Sequence, residues 1–545
     1  MKIINKILVF TALGIGPAML TGCLDETEPQ SSTVTEKQVQ ESSSATKAAV
    51  LAMPAYFNHY DEDIVDRGWH YPFGYGAQMY IRDLMTGDMG HNVTNYTGHF
   101  NRWAQNKYQG DGYVFCQFVF NYYYGLVLTV NTAISAVNPE SATDEQLGYL
   151  GAGYAFRALA YLDLARCYEF LPNDKTSNIN KDGNDVLNLT VPIVTESMAL
   201  EETMSNPRAS REDMFNFILS DLDNAEKYIV NLTDYANNTL PDLACVYGLK
   251  ARLYMWVEDY ANAQKYARLA IGEARVNPMT EDDCLDPVTG FNTISKWMWG
   301  SQQTKEDDTV QSGIINWASW LSNQTTFGYT GFGGTNMPFN VIDVRMYNRI
   351  SNSDFRKLEF LAPEQSPLRA ENRLIPGTES LVEEAMPELA SLKFRPNQGD
   401  FEEYTVGAAT AFPIMRVEEM YFIEAEAAAH VNPSQGKQLA EEFMKTYRDP
   451  NYSIGQAADL IDEIVFQKRV ELWGEGQTFF DIKRLNMSVT RGYPGTNFYS
   501  LARLNTNGRP AWMNFVLIRS EENVNKAVVG WNNPDPSDLY TPWTE

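Results

Sequence analysis

The chain has 545 residues, with 43 Lys plus Arg against 70 Asp plus Glu, a net charge of −27. That length can bury one large core or two modest domains, while the acidity works against binding nucleic acid or an anionic lipid surface. Beyond the first twenty-odd residues no stretch is apolar enough to cross a bilayer, and the 30 Tyr, 27 Phe and 11 Trp suit either a large core or a ligand with flat apolar faces.

The first predicted element lies outside the fold. Lys2 and Lys6 flank an isoleucine-rich start, and residues 7–20 are nearly all apolar or small, with Pro17 breaking the run. A positive start followed by an apolar run too short to span a membrane reads as an export signal. The ending Leu20-Thr21-Gly22-Cys23 resembles a lipobox, which makes residues 1–22 a lipoprotein signal peptide and Cys23 the lipidated residue. More than one acyl chain at about 0.8 kcal/mol per buried methylene gives stable anchoring. Asp25, Glu26 and Glu28 follow, and the polar composition makes residues 23–45 a flexible tether. This acidic cluster resembles the surface-export signal of lipoproteins in Bacteroidetes-type bacteria, which implies a body facing the cell exterior.

Helices dominate the next half. Residues 113–137 and 145–171 read as two long helices; in the second, Leu147, Leu150, Tyr154, Ala158 and Tyr161 share a face and Pro172 stops the run. An Asn- and Asp-rich loop, 173–188, separates them from a helix opened by Ser210-Arg-Glu-Asp213, a capping-box pattern. Its Met214, Ile218, Leu222, Ala225 and Ile229 recur at three and four residues, as a buried stripe does. Residues 242–274 hold two more helices around the turn Glu258-Asp259. The first is apolar on two sides, so it is sandwiched, and Ala251, Ala263 and Ala270 allow close backbone approach. The arrangement resembles a tetratricopeptide helical pair, with Ala267 where a larger residue is common.

A second pair follows at 416–430 and 435–447. Between the two blocks, 277–412 is rich in Gly, Pro, Asn, Trp and Phe and reads as a loop-rich insertion with short strands, the kind of segment that carries binding residues on a rigid frame. Residues 56–108 share this character.

The sequences MRVEEMYFIEAEAAAH and IVFQKRVELWGEGQTFFDIKRLN, with AFRALAYLDLARCYEFLP and SREDMFNFILSDLDNAEKYI upstream, resemble the SusD/RagB family of nutrient-binding lipoproteins in the right order. The most specific piece is Glu471-Leu472-x-x-Glu475-Gly476-x-x-x-x-Asp481-Ile482-x-Arg484; Gln467, Lys468 and Thr478 depart from the usual residues. The resemblance implies a mainly α fold: a tetratricopeptide-like helical-pair scaffold at about 110–275 and 413–486 within a SusD-like domain, 46–545, and a loop-rich ligand-binding insertion at about 277–412 carrying short strands. It also implies capture of an oligosaccharide for a SusC-like TonB-dependent outer-membrane barrel, with no enzymatic role. Read physically, the charges of the signature form a salt-bridge network that pins one helix end to another, with Gly474 and Gly476 permitting the turn.

Other chemistry leaves little trace. The five histidines, His59, His70, His91, His99 and His430, show no HxH or HExxH spacing, and Cys116, Cys167, Cys245 and Cys284 show no CxxC pair, so neither metal nor cofactor is expected. Gly331-Phe-Gly333-Gly334 lacks the Lys-Ser/Thr of a phosphate loop. Glycoside hydrolysis needs only two carboxylates, so a glycan-active enzyme stays an alternative. Sugars offer apolar CH faces for Trp and Tyr and hydroxyls for Asp and Asn. Two stretches supply that mix: Asp88, Asn95, Tyr96 and Trp103 in one, and Trp317, Trp320 and Tyr329 in the other. Peptide capture, as in the RagB branch, would call for a longer polar cleft. A scaffold binding only protein is the third reading.

Overall fold

The computed structural model describes residues 43–93, 100–334, 337–455 and 459–545. Its longer elements in chain order are α1 (Ser43–Tyr56), α2 (Tyr75–Leu84), β1 (Met89–His91), α3 (Phe100–Ala104), α4 (Val114–Ser135), α5 (Asp144–Tyr168), α6 (Arg211–Ile229), α7 (Leu243–Trp256) and α8 (Tyr260–Glu273). After these come β2 (Trp299–Gln302), α9 (Trp317–Leu321), β3 (Asn340–Ile342), β4 (Ala411–Met415), α10 (Val417–Val431), α11 (Pro433–Tyr447), α12 (Leu460–Glu471) and α13 (Thr478–Arg484).

The helices stack in chain order. α4 lies on α5, α5 on α6, α6 on α7 and α7 on α8. The chain then leaves for the insertion, and on its return α10 packs directly against α8, with α11 and α12 following on α10. The insertion thus interrupts the sequence of the stack and leaves the stack itself continuous. Local chemistry fixes the boundaries. Thr143 caps α5 through a full capping box with Gln146. Ser210 caps α6 by accepting from the Asp213 N–H at 3.1 Å, but its hydroxyl donates to the Asp213 carboxylate at 2.7 Å, so the reciprocal half of the box is missing. α5 ends at Tyr168, the residue whose carbonyl Pro172 would strike if the helix continued.

The stripe predicted for α6 is buried throughout, and Ala251, Ala263, Ala267 and Ala270 are fully enclosed where α7 and α8 cross. Among the described residues, four short strands form two antiparallel ribbons: β1 pairs with β3, placing Met89 opposite Ile342, and β2 pairs with β4, placing Ser301 opposite Phe412. Each ribbon ties the insertion to the helical frame, one near its N-terminal side and the other at the start of α10. Cys116, Cys167, Cys245 and Cys284 are free thiols. No helix of the described residues is long and apolar enough to cross a membrane.

Candidate functional site

Three of the aromatics singled out in the sequence join in one cluster, two of them meeting Phe100 of α3 directly. Trp320 meets Phe100 edge-on, with centroids 4.6 Å apart, and stacks nearly parallel on Tyr329 at 4.5 Å and 6°. Trp103 lies 5.9 Å from Phe100 and meets Phe115 edge-on at 5.0 Å. The result is a ladder, Tyr329–Trp320–Phe100–Trp103–Phe115, that runs through the core beneath one face. Such pairs contribute about 0.5–1.5 kcal/mol each beyond the area they bury. Trp103 borders a cavity of about 10 Å³, room for roughly one water, so its ring supports the face from below.

The ladder reaches solvent at its far end. Tyr108 stacks on Phe115 with centroids 6.2 Å apart and an 18° tilt, and Tyr113 lies 5.1 Å from Tyr108. These two rings are 37 % and 42 % exposed. Trp69, half-buried, stacks on the same Phe115 at 6.4 Å, and the Arg102 guanidinium lies 5.1 Å from the Tyr108 centroid. The backbone holds Tyr108 at φ +60° and Asn106 at φ +53°. A bulky residue in the left-handed region costs about 1–3 kcal/mol and persists only where its surroundings over-determine it. The C-terminal segment supplies that restraint: the Asn106 amide donates to the Pro536 carbonyl at 2.8 Å, and the Gln109 N–H donates to the Ser537 hydroxyl at 2.8 Å. At the other end of the ladder His70 hydrogen-bonds the Tyr329 hydroxyl through Nδ1, and burial lowers the His70 pKa from its ordinary value. The neighbours Trp69 and His70 therefore touch the two ends of the ladder, Phe115 and Tyr329. The arrangement offers two exposed rings, a half-buried indole and a guanidinium on a rigid mount, suited to a flat ligand with polar edges.

The other predicted residues lie elsewhere. Asp88 is buried, and both its carboxylate oxygens meet Arg469. Trp317 is 0 % exposed, stacked on Phe412 at 5.1 Å and edge-on to Phe394, apart from the ladder. Both side chains are committed to the interior. Asn95, Tyr96, His99 and Cys23 fall outside the described residues. His91 is buried in β1 and hydrogen-bonds Tyr80 through Nε2 at 2.5 Å. Among the described residues no group of three or more His, Cys, Asp or Glu is placed to hold a metal ion. Sequence reasoning missed Trp69, Tyr108 and Tyr113. A signal was present in Tyr108-Gln-Gly-Asp-Gly-Tyr113, where two tyrosines flank glycines in a loop with no apolar period.

Comparison with known proteins settles the family. A profile described as the SusD family matches residues 292–527, and one described as starch-binding and associating with the outer membrane matches residues 31–255. The chain belongs to the SusD family. It is therefore a member of a glycan-binding family associated with the outer membrane. A SusD-like protein of Formosa agariphila is 22 % identical over 410 residues, 67 % of this chain and 72 % of that protein. A SusD-like carbohydrate-binding protein of Bacteroides vulgatus shares the fold with a TM-score of 0.68 at 22 % identity, over 89 % of this chain and 96 % of its own. Surface glycan-binding protein A of Bacteroides thetaiotaomicron, solved with laminarihexaose, gives 0.59 at 14 % identity over 89 % and 98 %.

The SusD signature does the structural work expected of it. Glu471, at the end of α12, receives Arg416, Arg448 and Arg356 at 3.0, 2.7 and 3.2 Å. These guanidinium charges hold its carboxyl well below the usual range against the opposing effect of burial. Glu475 takes Lys393 and Arg416, both at 2.8 Å, and Asp481 takes Lys468 at 2.8 Å. Gly474 and Gly476, at φ +78° and +69°, turn the chain between α12 and α13. Of the departures, Gln467 accepts from Arg356 and donates to Glu463 at 2.9 Å.

Proposed function

We propose that this chain is a cell-surface lipoprotein that captures an oligosaccharide on the Tyr108–Tyr113–Trp69 face and delivers it to a SusC-like TonB-dependent outer-membrane barrel, without catalysing a reaction itself. The proposed layout is a signal at residues 1–22, a tether anchored through Cys23 over 23–45, and a binding domain over 46–545. The observation that carries the reading is the pair of exposed, rigidly mounted tyrosines over the ladder. In water a free tyrosine ring gains little from staying ordered, whereas a pre-positioned ring loses little entropy when a sugar CH face stacks on it. Trp103, Trp320 and Tyr329 support the face from within, and Asn95 and Tyr96 remain candidates for direct contact. Exposed rings beside a guanidinium suit a sugar's CH faces and hydroxyls better than an extended peptide, whose backbone needs hydrogen-bonding partners.

The test is calorimetry of the purified protein against a glycan panel and a peptide panel. A glycan is expected to bind saturably and the peptides not. Tyr108→Ala with Tyr113→Ala is expected to weaken the glycan by about tenfold or more, the equivalent of about 1.4 kcal/mol, with the melting temperature little changed. Peptide binding alone, or a double variant with full glycan affinity, would overturn the assignment, and glycan cleavage would overturn the non-catalytic reading.

A further inference from the structure

A second cavity, of about 110 Å³, lies where the two helical blocks meet, bordered by α5, α7, α10 and α13. One water needs roughly 10–15 Å³ by the same measure, so the space admits a group of several heavy atoms. Cationic side chains in its lining outnumber anionic ones, in a chain whose net charge is −27. A cleft dominated by one sign concentrates ligands of the other.

The carboxylates present leave one buried donor of Arg252 unused. Arg252 of α7 gives Nε to Glu419 at 2.7 Å, and its Nη2 bonds the same carboxylate and the Ile414 carbonyl, but its buried Nη1 has no hydrogen-bond partner. Arg166 of α5 gives Nη2 to Asp163 at 2.6 Å, and its guanidinium lies 3.5 Å from the centroid of the Phe480 ring. The ammonium of Lys483 has three donors and gives two of them to the Cys167 and Glu169 carbonyls at 2.9 and 2.8 Å. Arg166 and Arg252 lie close enough that the charge of Arg252 disfavours that of Arg166. Leaving the Arg252 Nη1 buried and unpaired is costly, and an oxyanion would satisfy it while replacing repulsion between the two guanidiniums by attraction to a shared charge.

We propose that this cavity binds one small oxyanion group, a phosphate, sulfate or carboxylate, held by Arg252 and Arg166 and separate from the aromatic face. Lys483 and Arg484 of α13, with Arg211, Lys468 and Arg509, complete the cationic lining.

Calorimetry of the full chain with sodium sulfate, sodium phosphate and sodium glucuronate, each against sodium chloride at matched ionic strength, tests this directly. Saturable binding above chloride is expected for at least one. Preference for sulfate or phosphate identifies a free inorganic ion, and preference for glucuronate identifies the carboxylate of a larger ligand. Arg252→Lys, which keeps the charge and removes Nη1, is expected to weaken binding at least tenfold with glycan affinity unchanged. Wild-type crystals soaked in selenate should show an anomalous peak within hydrogen-bonding distance of Arg252 Nη1, a readout that holds even if the variant fails to fold. No binding above chloride together with an empty cavity after selenate overturns the proposal, and so does full affinity in a folded Arg252→Lys protein.

Discussion

The carboxylate of Asp88 receives Arg469 through both oxygens, one of them at 3.0 Å from Nε, while the Asp88 backbone carbonyl accepts from the Trp473 indole at 3.0 Å and the Asp343 N–H at 3.0 Å. This one residue therefore joins the start of β1 to α12 and to the SusD signature. Removing the acid leaves the Arg469 charge without its partner, and breaking a buried pair in this way costs about 3–5 kcal/mol. Arg469 keeps some solvent contact, so Asp88→Asn is expected to cost about 2–3 kcal/mol in denaturant unfolding, with glycan affinity unchanged in the folded protein. Lost glycan affinity at unchanged stability would place Asp88 at the ligand instead. The sequence could not separate these roles. Asp88 stands in a Gly- and Asn-rich stretch that reads as a solvated loop, and its partner lies 381 residues away. Trp103 and Trp320 were legible as important rings, but composition does not reveal which side of a ring meets solvent. Tyr108 escaped because its exposure follows from a strained backbone fastened by the C-terminal segment, a long-range effect with no local pattern.

Elements were far more legible than sites. The periods in α5, α6, α7 and α10 each span several turns, enough for burial to write itself into the sequence. The strands were harder, since three to five residues carry too little alternation and their partners come from distant segments. The close approach of helices was legible only in part. Small residues at α7 and α8 pointed to it, but α5 also comes very close to the end of α6. A Cβ on Gly151 would stand 2.4 Å from the Ile229 nitrogen, and one on Gly148 would stand 2.6 Å from the Leu232 nitrogen. Backbone cannot yield as a flexible side chain can. Alanine gains up to about 1 kcal/mol over glycine in helix propensity, and overpacking costs about 1–3 kcal/mol, so Gly151→Ala is expected to lower stability by about 1–2 kcal/mol. Gly272, in α8, has nothing within 4 Å of its Cβ position, and Gly272→Ala is expected to raise stability by about 0.5–1 kcal/mol. Thermal unfolding of the two variants should move in opposite directions. A shift of the same sign in both would mean that propensity, rather than crossing distance, governs this stack.

For the molecule as a whole, the question is what keeps the binding domain at a membrane. The body offers little: no described helix is long and apolar enough to cross a bilayer, and a net charge of −27 works against anionic headgroups. Under the proposed layout the attachment rests on Cys23. Several acyl chains, at about 0.8 kcal/mol per buried methylene, give an anchor that the domain itself cannot replace. Cys23→Ser is therefore expected to abolish incorporation of radiolabelled palmitate into the chain and to move it from the outer-membrane fraction to the soluble fraction, while the purified variant keeps the glycan affinity of the wild type. Palmitate labelling is the deciding readout, because a bound barrel could retain some protein at the membrane without any lipid. Undiminished label in Cys23→Ser would show that acylation lies elsewhere and would remove the physical basis for a tether at residues 23–45. Loss of label together with loss of glycan affinity would mean that the N-terminal segment takes part in the site, since the aromatic face over Phe115 lies within the folded domain and has no other reason to depend on Cys23.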